Sequence, residues 1–158
     1  MSSDHAQILA EVTGRTLEQL AFIFSFADDD ESEALEDSAV TGCGVLFKGP
    51  VSGQLLITIS DAALPELAAN MLGMEADDDI ALEQQHDALR ETLNVICGNL
   101  LPQLWGRESV FDIRPPAILA SQDVQSRLAA FNTPQAAVAS TRLSLDEGVC
   151  QVFLRVDP

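Results

Sequence analysis

Apolar residues return along this chain at two spacings, and the alternation between them lays out its elements. Over residues 5–26, Ile8, Leu9, Val12, Leu17, Leu20, Ile23 and Phe24 recur at helical spacing, with Gly14 a weak interruption. Residues 39–47 and 53–59 are instead strand-like apolar runs, joined as a hairpin across Lys48-Gly49-Pro50. Ser60-Asp61 offers an N-cap to a second helix over residues 62–72, which Gly73 ends. A third, longer helix starts near Ile80 or Leu82 and runs to Trp105, stopped near Gly106, with Pro102 expected to kink or shorten its last turn. Residues 113–121 read as extended, and residues 136–143 and 148–156 as a closing hairpin around Asp146-Glu147-Gly148.

The order is helix, two strands, two helices, then three strands, which hints at a duplicated α/β unit without a strict sequence repeat. Short connections between the strand pairs favour antiparallel hairpins over βαβ crossovers. The predicted fold is α/β in the α+β sense: one antiparallel-dominated sheet packed against long helices. With 158 residues, the chain suits a single domain over residues 1–158.

Charge narrows the partners. Eight Lys+Arg against 25 Asp+Glu give a formal net charge of -17, concentrated in acidic runs at residues 28–33 and 75–79 that read as solvated loops. Such a field repels phosphate backbones and anionic headgroups, so neither nucleic acid nor a membrane surface is an expected partner. Cys43, Cys97 and Cys150 are odd in number and widely spaced, as buried reduced thiols would be. The start of the chain lacks a basic stretch followed by an apolar run, so no secretory signal is expected, and a cytoplasmic location is.

Several chemistries lack their residues. His5 and His86 are the only histidines and neither has ligands at metal-binding spacing, so no metal site is expected on this chain. There is no Gly-x-Ser-x-Gly elbow and no phosphate-cradling Gly-x-x-x-x-Gly-Lys. Gly42-x-Gly44 lies in a strand and reads as a bulge or tight packing.

What remains is the long helix. Asp87, Glu91 and Asn94 fall on one stripe, while Leu89, Leu93, Ile96, Leu100 and Leu104 fall on the other side and face a core. A carboxamide donates and accepts hydrogen bonds, whereas a carboxylate accepts and pairs with a cation. A wet helix face needs polar residues in any case, but Thr92, Asn94, Gly98 and Asn99 are poor helix formers, each costing about 0.5–1 kcal/mol relative to alanine. Gly98 has a reading of its own, close approach of this helix to the sheet or a neighbour.

Asp87-x-x-x-Glu91-x-x-Asn94, followed by Ile96-Cys97-Gly98-Asn99-Leu100-Leu101-Pro102, resembles the signature helix of the CheC/CheX/FliY chemotaxis phosphatases. That signature ends in a more distant proline, which Pro115 or Pro116 would supply. Residues 57–61 and 69–74 also resemble the strand-to-helix segment that precedes it in CheX-like members. The first helix has Glu18-Gln19-Leu20-Ala21 where two-site members carry a second Glu-x-x-Asn, so the likeness is to single-site CheX.

The resemblance implies hydrolysis of the aspartyl phosphate of a phosphorylated CheY-type response regulator, which supplies its own Mg²⁺ and lysine. Glu91 and Asn94 would be the catalytic pair: Asn94 orients the attacking water and Glu91 pairs with the regulator's lysine. Asp87 and Arg90 would join them in partner binding, with Arg90 and Arg107 softening an acidic field that gives no long-range steering toward an acidic pocket. A homodimer is also implied. Two other functions fit the same residues: a non-catalytic module that docks a regulator or flagellar switch component, and an assembly protein that pairs through an exposed sheet edge.

Overall fold

The computed structural model describes residues 2–27, 39–75, 79–131 and 136–157. In chain order these form α1 (Ser2–Ala21), β1 (Phe26–Ala27), β2 (Val40–Lys48), β3 (Ser52–Ser60), α2 (Leu64–Leu72), α3 (Leu82–Trp105), β4 (Asp112–Ile113), β5 (Ala117–Leu119), α4 (Ser121–Phe131), β6 (Ala137–Leu145) and β7 (Gly148–Val156). The acidic run at 28–33 and residues 76–78 of the second acidic run lie outside the described residues.

The strands make one antiparallel sheet in the order β1-β6-β7-β3-β2-β4, with β5 also pairing β2. Both predicted hairpins are present: Lys48 pairs Ser52 around Gly49-Pro50-Val51, and Leu145 pairs Gly148 around Asp146-Glu147. Side chains alternate across a sheet, so Cys43, Val45, Phe47, Leu55, Ile57, Ile59, Cys150, Val152 and Leu154 all point to one face and are buried there. α1, α2 and α3 cover that face, contributing Leu9, Leu17, Leu67, Leu89, Leu93, Ile96 and Leu100 to a continuous core. The result is the α+β architecture read from the sequence.

Four local expectations need correction. The first helix ends at Ala21, five residues early, because Phe22 takes a left-handed φ of 54° and the amide of Ile23 turns back to the Leu17 carbonyl. The freed segment then forms β1 against Leu143 and Ser144. Ser60 and Asp61 do not cap α2, which starts from Ala63 without a side-chain cap. Tertiary partners claim both side chains instead: Ser60 Oγ accepts the Val149 amide at 3.0 Å, and Asp61 accepts from Thr41 Oγ1 at 2.7 Å. Of the kink or shortening expected at Pro102, the shortening does not occur, since α3 continues through it to Trp105.

The fourth correction is an element. Residues 121–131 are helical where no helix was expected. Val124, Leu128 and Phe131 are a thin apolar stripe, and only Val124 and Phe131 are buried. The place of α4 is set by the glycines of β2. A Cβ on Gly42 would lie 2.5 Å from Val124 Cγ2, and one on Gly44 would lie 3.2 Å from Arg127 Nη1. Gly42 and Gly44 point away from Cys43 and Val45, so α4 lies on the sheet face opposite α1, α2 and α3. Tight packing is thus the outcome for Gly42-x-Gly44, and Ser121 Oγ secures the helix start by donating to the Val40 carbonyl.

Candidate functional site

α3 is fixed along its length. At the start, the Ala81 amide donates to Gln84 Oε1 at 3.2 Å and Gln85 Nε2 donates to the Ile80 carbonyl at 3.0 Å. Along the middle, Ala88, Leu89, Thr92, Leu93, Ile96, Cys97, Leu100 and Leu101 are buried. Thr92 is a poor helix former with a packing role, its hydroxyl donating to the Ala88 carbonyl at 2.8 Å beside Met71 Sδ. At the end, Trp105 packs among His5, Phe47 and Phe111, with ring centroids 5.8–6.2 Å apart. A helix held at both ends and down one side presents its other side as a rigid ridge.

That ridge carries Asp87, Glu91, Asn94 and Gly98, all exposed. The 3.6-residue period places them within a narrow sector, opposite Leu89, Leu93, Ile96 and Leu100. Neither the Glu91 nor the Asn94 side chain makes a hydrogen bond or ion pair among the described residues. Both side chains therefore keep their full bonding capacity for something that arrives from outside. Asp87 and Arg90 bond instead to each other, Arg90 Nη1 to Asp87 Oδ1. This surface pair is worth little to stability but holds the guanidinium beside the ridge. Arg107 is exposed beyond the end of α3.

The wet flank of α3 continues into a polar groove of about 260 Å³ against α1, lined by Arg15, Thr16, Gln19, Asn99 and Gln103. Asn99 belongs to that groove and not to the ridge. Gly98 does not serve close packing as expected, since a Cβ there would meet nothing within 4 Å. Pro115 and Pro116 precede β5, which lies against α3. α1 offers no second ridge of this kind: three residues after Glu18 comes Ala21, fully buried, its carbonyl accepting the Asn70 amide at 2.6 Å.

The thiols are inert. Burial pushes Cys97 and Cys150 up to about 12, and Cys43 likewise, although the Arg90 charge pulls Cys43 partway back. Among the described residues no group of three or more His, Cys, Asp or Glu could hold a metal ion, and no helix is long and apolar enough to cross a membrane. What the ridge can do is hydrogen-bond a water through an amide and pair a carboxylate with a cation.

Comparison with known proteins identifies the fold. No curated protein matches the chain at the sequence level. A crystal structure of the chemotaxis protein CheX from Desulfovibrio desulfuricans is similar at a TM-score of 0.72 and 16% identity, covering 98% of this chain and 99% of that one. The CheX–CheY–BeF3–Mg²⁺ complex from Borrelia burgdorferi gives 0.66 and 18%, covering 96% and 97%. FliY from Thermotoga maritima gives 0.55 and 14%, covering 99% and 91%. Residues 41–146, which span β2 through the end of β6 and include the whole ridge, match the family described as chemotaxis phosphatase CheX, and the chain belongs to that family.

Proposed function

We propose that this chain dephosphorylates the aspartyl phosphate of a CheY-type response regulator, and that Glu91 and Asn94 do the work. The observation that carries this reading is that both side chains are exposed and uncommitted on one rigid helix face. The complex of a Borrelia burgdorferi relative with CheY, BeF3 and Mg²⁺ supports a receiver as the partner. The regulator's own Mg²⁺ neutralises charge on the phosphoryl group. The chain then has to place a water in line. Asn94 holds that water through its amide, and Glu91 pairs with the regulator's lysine to fix the docking register. Water oxygen bonds to phosphorus, the bond from phosphorus to the aspartyl oxygen breaks, its electron pair returns to the carboxylate, and the water's two hydrogens leave on the released inorganic phosphate. The Asp87–Arg90 pair sits at the rim of the contact, where it orients more than it binds.

The reaction belongs in the cytoplasm, where receivers are phosphorylated. A homodimer is part of the same proposal: the outer side of β6 from residue 137 to 142 has no strand beside it among the described residues, an edge that a second copy can extend. The decisive experiment charges a panel of CheY-type regulators with acetyl phosphate and Mg²⁺ and follows loss of the phosphorylated form. Substoichiometric chain should accelerate that loss for at least one regulator. No acceleration for any of them refutes the activity.

A further inference from the structure

Gly98 lies on the ridge with Glu91 and Asn94, one helical turn beyond Asn94. Glycine inside a helix is unfavourable relative to alanine, so it normally answers a need within the fold. Those needs are absent. Among the described residues positive φ is confined to Phe22, Gly73, Gly106 and Gly148, so Gly98 is not there for a left-handed backbone. A Cβ on Gly98 meets nothing within 4 Å, so no neighbouring element presses on it, unlike Gly42 with Val124 at 2.5 Å. Pro102, four residues on, has no N–H to give to the Gly98 carbonyl and sets its ring against it. What is missing at Gly98 is a side chain, on the one face that carries the uncommitted pair.

Resting on the reading of the preceding subsection, we propose that Gly98 is a clearance position: the notch that lets the phosphorylated receiver close on α3. Asparagine has a single methylene between its backbone and its amide. Bringing that amide to a phosphoryl group inside a partner's pocket draws the two backbones together. A side chain one turn away on the same line then sets the limit of approach. Gly98 is a positioning residue in this scheme, and it selects partners whose surface fills the notch.

The experiment compares wild type, Gly98→Ala and Gly98→Leu by thermal melting and by steady-state dephosphorylation of the regulator on which the wild type acts. Gly98→Ala should raise Tm by about 2–4 °C through helix propensity alone. KM for the phosphorylated regulator should nevertheless rise in the order Gly, Ala, Leu, by at least about tenfold for Leu, with kcat changed less. Stability and activity moving in opposite directions is what a packing role would not produce. A fall in Tm for Gly98→Ala would assign the glycine to the packing of α3 and overturn the proposal, as would a wild-type KM in Gly98→Leu. If the wild-type chain accelerates phosphate loss from no regulator, the parent reading fails and this inference fails with it.

Discussion

Replacing Asn94 by alanine separates the catalytic reading from the structural one, because the two assign it opposite effects. Asn94 is exposed on α3 and its side chain makes no hydrogen bond or ion pair among the described residues, so truncation removes no such contact from the fold. Alanine is also the better helix former by up to about 0.7 kcal/mol. For a domain of this size that corresponds to a Tm higher by about 1–3 °C. The rate should move the other way. A single well-placed hydrogen-bonding group in a reaction site typically carries about 10²–10³ in rate, or about 2.7–4 kcal/mol, and kcat for phosphate release should fall by that factor. Affinity for a beryllofluoride-loaded regulator should stay within roughly threefold, since the loss is confined to the transition state. Paired measurements of melting, titration and phosphate release on one preparation give all three quantities. A retained rate refutes the water-positioning role, and a Tm lowered by several degrees refutes the claim that the ridge is uncommitted.

Other perturbations test neighbouring parts of the argument. Glu91→Ala should weaken binding to the same regulator about ten- to hundredfold, the worth of a charged hydrogen bond near 1.5–3 kcal/mol, and should slow phosphate release as well; calorimetric affinity equal to wild type would dismiss the lysine contact. Gly42→Ala forces a methyl to within 2.5 Å of Val124 Cγ2 and should destabilise the chain by roughly 1–3 kcal/mol in a urea titration, whereas unchanged stability would mean that α4 is not seated on β2. The thiols set an alkaline limit. Their folded values, raised from 9.0 to about 12, mean that the native state keeps protons that the unfolded chain releases. The stabilisation is complete below pH 9 and is lost as pH rises toward 12, with a slope of up to about 1.4 kcal/mol per pH unit for each thiol. With no tyrosine and a single lysine, little else titrates in that window. A Tm that stays flat from pH 8 to 11 would contradict the burial of these groups.

Residue patterns captured features that depend on neighbours in sequence. The period of α3 placed Glu91 and Asn94 on the wet side and Leu89, Leu93 and Ile96 in the core, because a helix commits each residue's direction from its spacing alone. The two hairpins were legible for the same reason, as alternation and turn residues specify a local pairing. Thr92 and Asn94 looked alike as weak helix formers, yet one back-bonds inside the core and the other is left open to solvent. Propensity records the cost of a residue and is silent on its compensation.

Local residue patterns were enough to specify the amphipathic ridge, the antiparallel hairpins and the likeness to single-site CheX. Long-range packing set where α1 stops, that Ser60 and Asp61 serve β7 and β2 in place of a helix cap, and that a thin apolar stripe at Val124 and Phe131 becomes α4. It alone decided that the glycines of β2 are filled by a neighbour while Gly98 is filled by none. The physical reason is that periodicity fixes which side of an element is apolar, whereas the surface that covers that side comes from residues far along the chain.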